Sequence, residues 1–406
     1  MQKRFVQILG LFACCALAAC SGQSNLSIPA TSNTVGTASS VIASCADFAQ
    51  PGDEAVCFAL QRTDAGDAAA YYFPGARNTE AQTVAGYGPS DIQSAYKLSS
   101  SAGTGQTVGI VDAYDDPTAE ADLGVYRSHF GLSACTTANG CFKKLNQNGL
   151  QSNYPRKNAG WGQEISLDLD MVSATCPNCH IILVEANSAT FANLGAAVDT
   201  AVNAGANAVS NSYGGSELNA SNSNYNHPGH VITASAGDSG TGASQPASYS
   251  TVVAVGGTSL THASTARGWA ETAWSGTGSG CSALVAKPPW QTDLGCAMRS
   301  EADVSADADP NTGVLVYDSY GRKGQTGWLV FGGTSVSSPI IASVYALAGN
   351  AATQNAAQGI WNDKGTHLFD VTSGSNGSCS ISYICNAGPG YDGPTGWGTP
   401  NGTSAF

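Results

Sequence analysis

A buried strand that breaks at paired glycines into an apolar helix is the feature that most constrains what this chain can fold into. Residues 328–331 are apolar, a glycine pair follows, and a largely apolar run over 340–347 predicts a helix whose first turn carries Ser335 and Pro339. Free backbone N–H groups and the positive end of the helix dipole would then surround the Ser335 hydroxyl, as an oxyanion requires. Gly-Thr-Ser alone equally fits an N-cap serine after a glycine turn.

Strands and helices alternate through the middle of the chain. The apolar patterns predict strands over residues 107–112, 180–185, 208–212 and 231–235, with helices over 161–174 and 191–204. This alternation predicts an α/β fold with a doubly wound, mostly parallel sheet and helices on both faces. Because parallel strands share one carboxyl edge, we expect Asp112, Asp238 and Ser335, which stand at strand ends, to lie there.

Two carboxylates lie four residues apart on the helix predicted over 161–174. Glu164 and Asp168 project from one helical face, and no Lys or Arg occurs over residues 162–184 to offset their repulsion. A solvated acidic face explains a lone pair of this kind equally well. The functional interpretation is a shared proton network.

A third stretch, residues 231–240, joins a predicted buried strand to Asp238 in a glycine-flanked turn. Together with the two stretches above, it resembles the sedolisins, the serine-carboxyl peptidases that share the subtilisin fold. Further motifs of that family follow in order, at residues 246–248, 253–260, 271–275 and 303–310. The resemblance spans about residues 87–400 and implies a subtilisin-like fold.

The resemblance also implies a peptidase with a Ser-Glu-Asp triad. Ser335 would attack the scissile carbonyl, Glu164 would accept and return the proton, and Asp168 would orient Glu164. Asp238 would take the oxyanion-hole position, where it must be protonated to donate a hydrogen bond. With ordinary pKa values of about 4.3 for Glu and about 3.9 for Asp, this implies activity at about pH 3–5.

Asp112 stands where a subtilisin keeps its triad aspartate, so a subtilisin proper is an alternative within the same fold. None of the six histidines lies in the His-Gly setting that a subtilisin base requires. A Ser-His-Asp triad is therefore not expected. Asp112 is either a further member of the carboxylate network or a strand-end residue that caps the next turn.

Two C-terminal motifs, at residues 369–372 and 387–392, resemble the calcium loop of the sedolisins. The resemblance assigns one structural Ca²⁺ to hard oxygen ligands, as calcium prefers. These ligands are the carboxylates of Asp370 and Asp392 and the carbonyl oxygens of Val371, Gly388 and Gly390. On the residues alone, two aspartates in glycine turns equally fit ordinary turn residues.

The N-terminus carries a basic head followed by an apolar stretch over residues 5–19, which is too short to span a bilayer. This pattern predicts a signal peptide over residues 1–20. Its end resembles the lipobox of bacterial lipoproteins, which would place a lipid on Cys20, while ordinary cleavage after Ala18 fits equally well. We expect an exported protein, secreted or lipid-anchored at the bacterial cell surface or outer membrane.

Three further segments follow the leader. Residues 21–44 are rich in small polar residues and predict a flexible tether. Residues 45–86, with one strand over 55–61, predict a short N-terminal or pro-segment, much shorter than the folded propeptide usual in the family. Residues 87–406 form the predicted peptidase domain.

Ten cysteines remain if the leader is removed and Cys20 carries lipid, an even number suited to an oxidising compartment. Proximity in sequence favours local disulfides. The expected pairs are Cys45 with Cys57, Cys135 with Cys141, Cys176 with Cys179, Cys281 with Cys296, and Cys379 with Cys385. The Cys176-x-x-Cys179 spacing also fits a redox or zinc motif, but no second such pair completes a four-sulfur site.

The formal net charge of -13 argues against nucleic acid or an anionic membrane as a partner. We expect polypeptide substrates, a monomer, and membrane contact only through a lipid on Cys20. An acid-active endopeptidase is the leading hypothesis. The alternatives are an exopeptidase of the same family and a non-catalytic binding lipoprotein on a peptidase scaffold.

Overall fold

The structure describes residues 41–45, 52–65 and 86–406 of the chain, as a computed structural model. The predicted signal peptide with its lipobox and residues 21–40 of the predicted tether lie outside these residues. No helix in the described ranges is both long and apolar enough to cross a membrane.

The strands and helices are numbered in chain order. The strands are β1 (Val41–Ala43), β2 (Val56–Cys57), β3 (Leu60–Arg62), β4 (Thr107–Ala113), β5 (Phe142–Asn146), β6 (His180–Ala186), β7 (Ala208–Asn211), β8 (Tyr213–Gly214), β9 (Val231–Ser235), β10 (Val253–His262), β11 (Trp269–Ala273), β12 (Gly280–Ala286), β13 (Met298–Glu301), β14 (Val304–Asp307), β15 (Val314–Arg322), β16 (Gln325–Gly332), β17 (Leu368–Phe369) and β18 (Thr399–Pro400). The helices are α1 (Pro89–Tyr96), α2 (Ala119–His129), α3 (Ala159–Thr175), α4 (Phe191–Asn203), α5 (Thr334–Ala348), α6 (Gln358–Asp363) and α7 (Ser382–Cys385).

The main sheet has eight strands in the order β11-β10-β9-β7-β4-β6-β5, with β14 also paired to β10. All of its pairings are parallel except that of β10 with β11. The predicted mostly parallel sheet is therefore confirmed. The four strands predicted from the apolar patterns correspond to β4, β6, β7 and β9, with ends that agree to within one residue.

Side chains alternate across the main sheet and feed a core on each face. Along β4, Val108 and Ile110 join the apolar cluster that includes α3 and α5. Val111 and Ala113 join the opposite cluster, which includes α4. Because both faces are covered, the strands are buried and read as nearly continuous apolar runs.

A smaller antiparallel sheet has the order β1-β3-β16-β15 and pairs the N-terminal segment with strands of residues 314–332. The single strand predicted over residues 55–61 is wrong in detail, because it is divided into β2 and β3, which pair with different partners. Residues 41–43 of the predicted tether form β1, paired with β3. Sequence pattern could not show this pairing, since both strands are only three residues long.

The predicted disulfide pairing is confirmed for all ten cysteines. The bonds join Cys45 with Cys57, Cys135 with Cys141, Cys176 with Cys179, Cys281 with Cys296, and Cys379 with Cys385. Each bond closes a loop of fifteen residues or fewer and acts locally.

Helix α3 begins where Asn158 caps it, which fixes the position of the carboxylates that the helix carries. The Asn158 side chain accepts hydrogen bonds from the backbone N–H groups of Gly160 and Trp161, at 2.9 and 3.1 Å. We predict that Asn158→Ala lowers the free energy of unfolding by about 1 kcal/mol, because these donors lose their partner. Urea unfolding of this variant and of Asn158→Asp, which keeps the acceptor, checks the prediction; equal losses in both would contradict it.

Candidate active site

Ser335 is the second residue of helix α5 and is fully buried. Gly333 caps this helix with φ of 96°, a conformation that glycine adopts without strain. A Cβ at Gly333 would lie 1.8 Å from the carbonyl oxygen of Phe58, so only glycine fits. The predicted strand, glycine pair and helix are confirmed, and Ser335 lies at the helix N-terminus as expected.

The prediction that Pro339 lies in the first turn of α5 is wrong. It lies in the second turn, because the helix begins at Thr334. Proline has no N–H, so the carbonyl oxygen of Ser335, four residues earlier, loses its helical donor. The Ser212 hydroxyl lies 3.5 Å from this oxygen. Because of Pro339, the carbonyl oxygen of Ser335 is available to the side chain of Ser212, which follows strand β7.

Glu164 is fully buried on helix α3. Its Oε2 accepts a 2.7 Å hydrogen bond from the backbone N–H of Ala59. Its Oε1 is buried without a hydrogen-bond partner among the described residues. The hydroxyl of Ser335, which donates to the Ser212 carbonyl oxygen at 3.3 Å, is close enough to lower the pKa of Glu164. Glu164 thus has a free oxygen with which to accept a proton.

Asp168 lies one helical turn after Glu164 and is also fully buried. Its Oδ1 accepts a 2.7 Å hydrogen bond from the Ser212 hydroxyl. Its Oδ2, like both carboxyl oxygens of Asp112 at the end of β4, is buried without a partner in the described part of the chain. The expectation that Asp112 joins the carboxylate network is supported by this position.

Burial raises the pKa values of Asp112, Glu164 and Asp168 well above their usual range. The charge of Asp112 further raises the pKa of both Glu164 and Asp168. Hydrogen bonds from Ser335 and Ala59 act in the opposite direction on Glu164. Three carboxyl groups in such a site cannot all be ionised, because a buried charge needs a partner. At least one of the three carboxyl groups is therefore protonated in the folded protein.

Asp238 follows strand β9 and faces the start of α5. Its Oδ1 accepts hydrogen bonds from the backbone N–H and the hydroxyl of Thr334, both at 2.8 Å. Its Oδ2 is buried with no partner among the residues described. Burial raises the pKa of Asp238 to about 7, although the Thr334 hydrogen bonds act against this shift. Below that pH the carboxyl group is neutral and able to donate from Oδ2.

The N-terminal segment lies beside these residues. Strand β2 pairs antiparallel with β8, which follows Ser212, and β3 pairs antiparallel with β16, which leads to Gly333. Glu54 forms a further bridge to Thr190. The segment therefore pairs with the strand that follows Ser212 and with the strand that leads to Gly333 and Ser335.

The structure brings together all four predicted catalytic residues. Sequence reasoning missed Ser212 and Thr334, which donate to Asp168 and Asp238 respectively. Thr334 stands next to Ser335, and Ser212 is the last residue of a predicted strand at the carboxyl edge of the sheet, so these positions were the available signal. Their hydrogen-bond partners are far apart in sequence, and no local pattern reveals such contacts.

The two predicted calcium-binding aspartates lie close together in the C-terminal loops. Asp392 is buried, and its pKa is raised to about 7, mainly by burial and in part by the charge of Asp370. The backbone N–H groups of Gly388 and Gly390 donate to Asp392 and Asp370, each at 2.9 Å. The two carboxylates are thus held near each other, and no basic residue lowers the pKa of Asp392.

The predicted carbonyl ligands also fit a cation. In the described part of the chain, the carbonyl oxygens of Val371, Gly388 and Gly390 accept no backbone hydrogen bond. No three acidic, histidine or cysteine side chains cluster there to hold a metal, so an ion would depend on these carbonyls. Two carboxylates with three free carbonyl oxygens form the hard donor set that Ca²⁺ prefers.

Comparison with solved structures identifies the relatives of this fold. Pseudomonas sedolisin, a serine-carboxyl proteinase solved with two molecules of pseudo-iodotyrostatin, superposes with a TM-score of 0.63 at 26% identity, over 78% of this chain and 95% of that chain. The sequence is 35% identical over 174 residues to sedolisin of Pseudomonas sp. (strain 101). It is 29% identical over 375 residues to kumamolisin of Bacillus sp. (strain MN-32). The chain is a homologue of the sedolisins.

The fold of this sedolisin homologue is subtilisin-like, as the motifs implied. No protein-family model matches the sequence. The alignments cover 38% of this chain and 28% of sedolisin, and 80% of this chain and 64% of kumamolisin. The chain thus spans less than two thirds of the length of either curated relative.

The protonated carboxyl groups of this sedolisin homologue predict that its stability falls as pH rises. The folded state keeps protons that the unfolded chain releases near pH 4, so each one gives a slope of about 1.4 kcal/mol per pH unit above that point. Asp112→Asn removes one such proton and the charge that raises the pKa of Glu164 and Asp168. We expect the free energy of unfolding of this variant to fall less steeply as pH rises.

Urea unfolding at several pH values from about 4.5 to about 7.5 measures this slope. Both chains carry Ser335→Ala, so that neither is degraded during the measurement. A slope that Asp112→Asn leaves unchanged would contradict the shared proton network.

Proposed function

We infer that this protein is a serine-carboxyl peptidase that hydrolyses peptide bonds in acid. The observation that carries this inference is the burial of Ser335 beside Glu164, with Asp238 opposite and its Oδ2 free. Homology to the sedolisins supports the same conclusion. Intact candidates at all of the catalytic positions argue against a binding protein on a retained scaffold.

Ser335 is the nucleophile in this proposal. Its hydroxyl gives its proton to Glu164 as the oxygen attacks the scissile carbonyl carbon. Asp168, held by Ser212, takes part of the negative charge through the shared network. Glu164 then returns the proton to the leaving amine, and water hydrolyses the acyl-enzyme by the reverse sequence of proton transfers.

Asp238 supplies the oxyanion hole. A tetrahedral intermediate carries a negative oxygen, which a protonated carboxyl stabilises by donating a hydrogen bond and which a carboxylate repels. With a pKa of about 7, Asp238 keeps its proton through the whole acidic range and loses it as pH rises through neutrality. Activity is therefore lost on the alkaline side near pH 7, which extends the window of about pH 3–5 expected from ordinary values.

The path of the N-terminal segment favours an endopeptidase over an exopeptidase. This segment pairs with strands next to Ser335 both before and after Phe58, and its pairing begins at Glu54, four residues before Phe58. An enzyme that removes short peptides from N-termini needs a closed end at that side. A site that holds extended chain on both sides of Ser335 instead fits the interior of a polypeptide.

Calcium is proposed as a structural ion in the loops around Asp370 and Asp392. These carboxylates and the three free carbonyl oxygens would hold it, and the ion would offset the repulsion between the two aspartates. We also propose that the protein acts after export, secreted or anchored by a lipid on Cys20. The basic head and apolar stretch of residues 1–20 support that location.

Cleavage of an unfolded protein substrate from about pH 3 to about pH 9 tests the function. We expect activity below about pH 7, lost on the order of 10⁶-fold in Ser335→Ala and about 10²–10⁴-fold in Glu164→Gln. Activity that rises above neutrality in the unsubstituted enzyme would contradict the role of Asp238.

Asp238→Asn is the sharpest variant, because an amide donates a hydrogen bond at every pH. We expect a lower maximal rate but an alkaline limb displaced above that of the unsubstituted enzyme. Asp238→Ala, which has no donor, should lose about 10²–10³-fold below about pH 7, where the unsubstituted Asp238 holds its proton. An unchanged alkaline limb in Asp238→Asn would show that another group controls it.

The calcium proposal predicts a metal-dependent rise in melting temperature. Calcium at about 100 times its dissociation constant stabilises a folded protein by about 2.7 kcal/mol. We expect this rise in the Ser335→Ala chain and its loss in Asp370→Asn and Asp392→Asn, with no comparable effect of magnesium. An equal rise in both variants would place the ion elsewhere.

A further inference from the structure

Phe58 of the N-terminal segment marks the position of a substrate residue that precedes a scissile bond. The N–H of the next residue, Ala59, donates to Glu164 Oε2 at 2.7 Å. A Cβ at Gly333 would lie 1.8 Å from the carbonyl oxygen of Phe58 and 2.6 Å from Asp238 Oδ2. The ring of Phe58 therefore lies in the pocket that would receive the side chain on the acyl side of the bond.

Two glycines form walls of this pocket. A Cβ at Gly214 would lie 2.9 Å from the Phe58 ring and 3.1 Å from the carbonyl oxygen of Gln245. A Cβ at Gly237 would lie 3.7 Å from Cζ, the tip of the ring, and 3.9 Å from the Ser244 hydroxyl. Ser244 and Gln245 therefore stand at the deep end of the pocket, next to the tip of the ring.

A buried carboxyl group lies directly behind Ser244. Glu301, the last residue of β13, is fully buried, and its Oε1 accepts a 3.2 Å hydrogen bond from the backbone N–H of Ser244. Glu301 stands opposite Gly280 of β12, where a Cβ would lie 2.6 Å from the backbone nitrogen of Ala243. The carboxyl group is thus held against the loop that follows Asp238.

Glu301 Oε2 is a buried acceptor that no described residue supplies with a donor. Arg299, on the same strand, is already paired, since it donates to both carboxyl oxygens of Asp303 at 2.8 and 2.5 Å. Glu217, which is bonded to β12, is a second acid and offers no donor. Because buried polar atoms in native proteins nearly always have partners, this oxygen calls for a donor from outside the chain.

We propose that Glu301 makes this pocket select a basic side chain, lysine or arginine, before the scissile bond, an inference that rests on the proposed peptidase function. Its methylene carbons would pack between the glycine walls, where Phe58 places its ring. Its cationic end would extend past the tip of that ring and donate to Glu301 Oε2. The Ser244 hydroxyl, which donates to the carbonyl oxygen of Ala236 at 3.0 Å, keeps a lone pair for the same cation.

The preference for a basic residue should grow as pH rises. Burial raises the pKa of Glu301 well above its usual range, and the charges of Glu217 and Asp303 act in the same direction. The charge of Arg299 and the hydrogen bond from Ser244 act against this shift. In acid, Glu301 therefore holds its proton and attracts a cation weakly, whereas the ionised carboxylate at higher pH pairs with it.

Hydrolysis of matched peptides by the full chain tests this inference. The peptides carry lysine, norleucine or phenylalanine before the scissile bond; norleucine has the carbon chain of lysine without its charge. At about pH 6 we expect kcat/KM for lysine to exceed that for norleucine by about 10-fold, as a charge-assisted hydrogen bond gives, and to exceed it less at about pH 4. The titration of the catalytic groups cancels in this ratio, because both peptides depend on it equally.

Glu301→Gln keeps an acceptor for the N–H of Ser244 but removes the charge. We expect the lysine-to-norleucine ratio to fall by about 10–100-fold in this variant and to lose its pH dependence. Both rates come from one sample, so the ratio does not depend on how much of the variant folds. As a control for attraction by the net charge of -13, lysine is placed two residues earlier in the norleucine peptide. Any advantage of that lysine should survive Glu301→Gln.

The outcomes separate this inference from the peptidase function. Norleucine cleaved as well as lysine at about pH 6, or a ratio that falls as pH rises, overturns the role of Glu301 and leaves the peptidase function standing. A ratio that Glu301→Gln leaves unchanged does the same. No hydrolysis of any of the peptides overturns the peptidase function, and this inference with it.

Discussion

Burial of carboxyl groups without a basic partner is the constraint on which the candidate site depends. No cation contributes to the pKa shifts of Glu164, Asp168 or Asp238, and burial is the first cause of each. The groups must therefore be neutral or share charge. One carboxyl group can then act as a base while another stays an acid. Glu164 can exchange its proton with Asp112 and Asp168, while Asp238 keeps its own proton.

Backbone features hold these carboxyl groups in place. Asn158 starts α3 so that Glu164 and Asp168 face the end of the main sheet, and Gly333 allows the chain to turn into α5 beside Asp238. Ser212 connects the two helices, since it donates to Asp168 and accepts from Ser335. The site therefore needs the parallel sheet, which brings together chain ends that lie far apart in sequence.

Apolar periodicity predicted four of the eight strands of the main sheet, β4, β6, β7 and β9, and the helices α3 and α4, because these elements have clear apolar patterns. The catalytic candidates were predictable from motifs, whose order along the chain is specific. The division of residues 55–61 into β2 and β3 was not predictable, since it depends on partners at Tyr213 and Phe331, more than a hundred residues away. The same holds for Ser212 and for the raised pKa of Asp238, which arise only when distant segments exclude water.

The proposed mechanism depends most on the protonation state of Asp238, and carboxyl ¹³C NMR measures it directly. The Ser335→Ala chain labelled at aspartate carboxyl carbons, with Asp238→Asn in the same background to assign the signal, would be titrated from acid to alkaline pH. We predict that the Asp238 carboxyl titrates with a midpoint near 7. A midpoint near the ordinary aspartate value of about 3.9 would contradict the mechanism, because a carboxylate could not then stabilise the oxyanion.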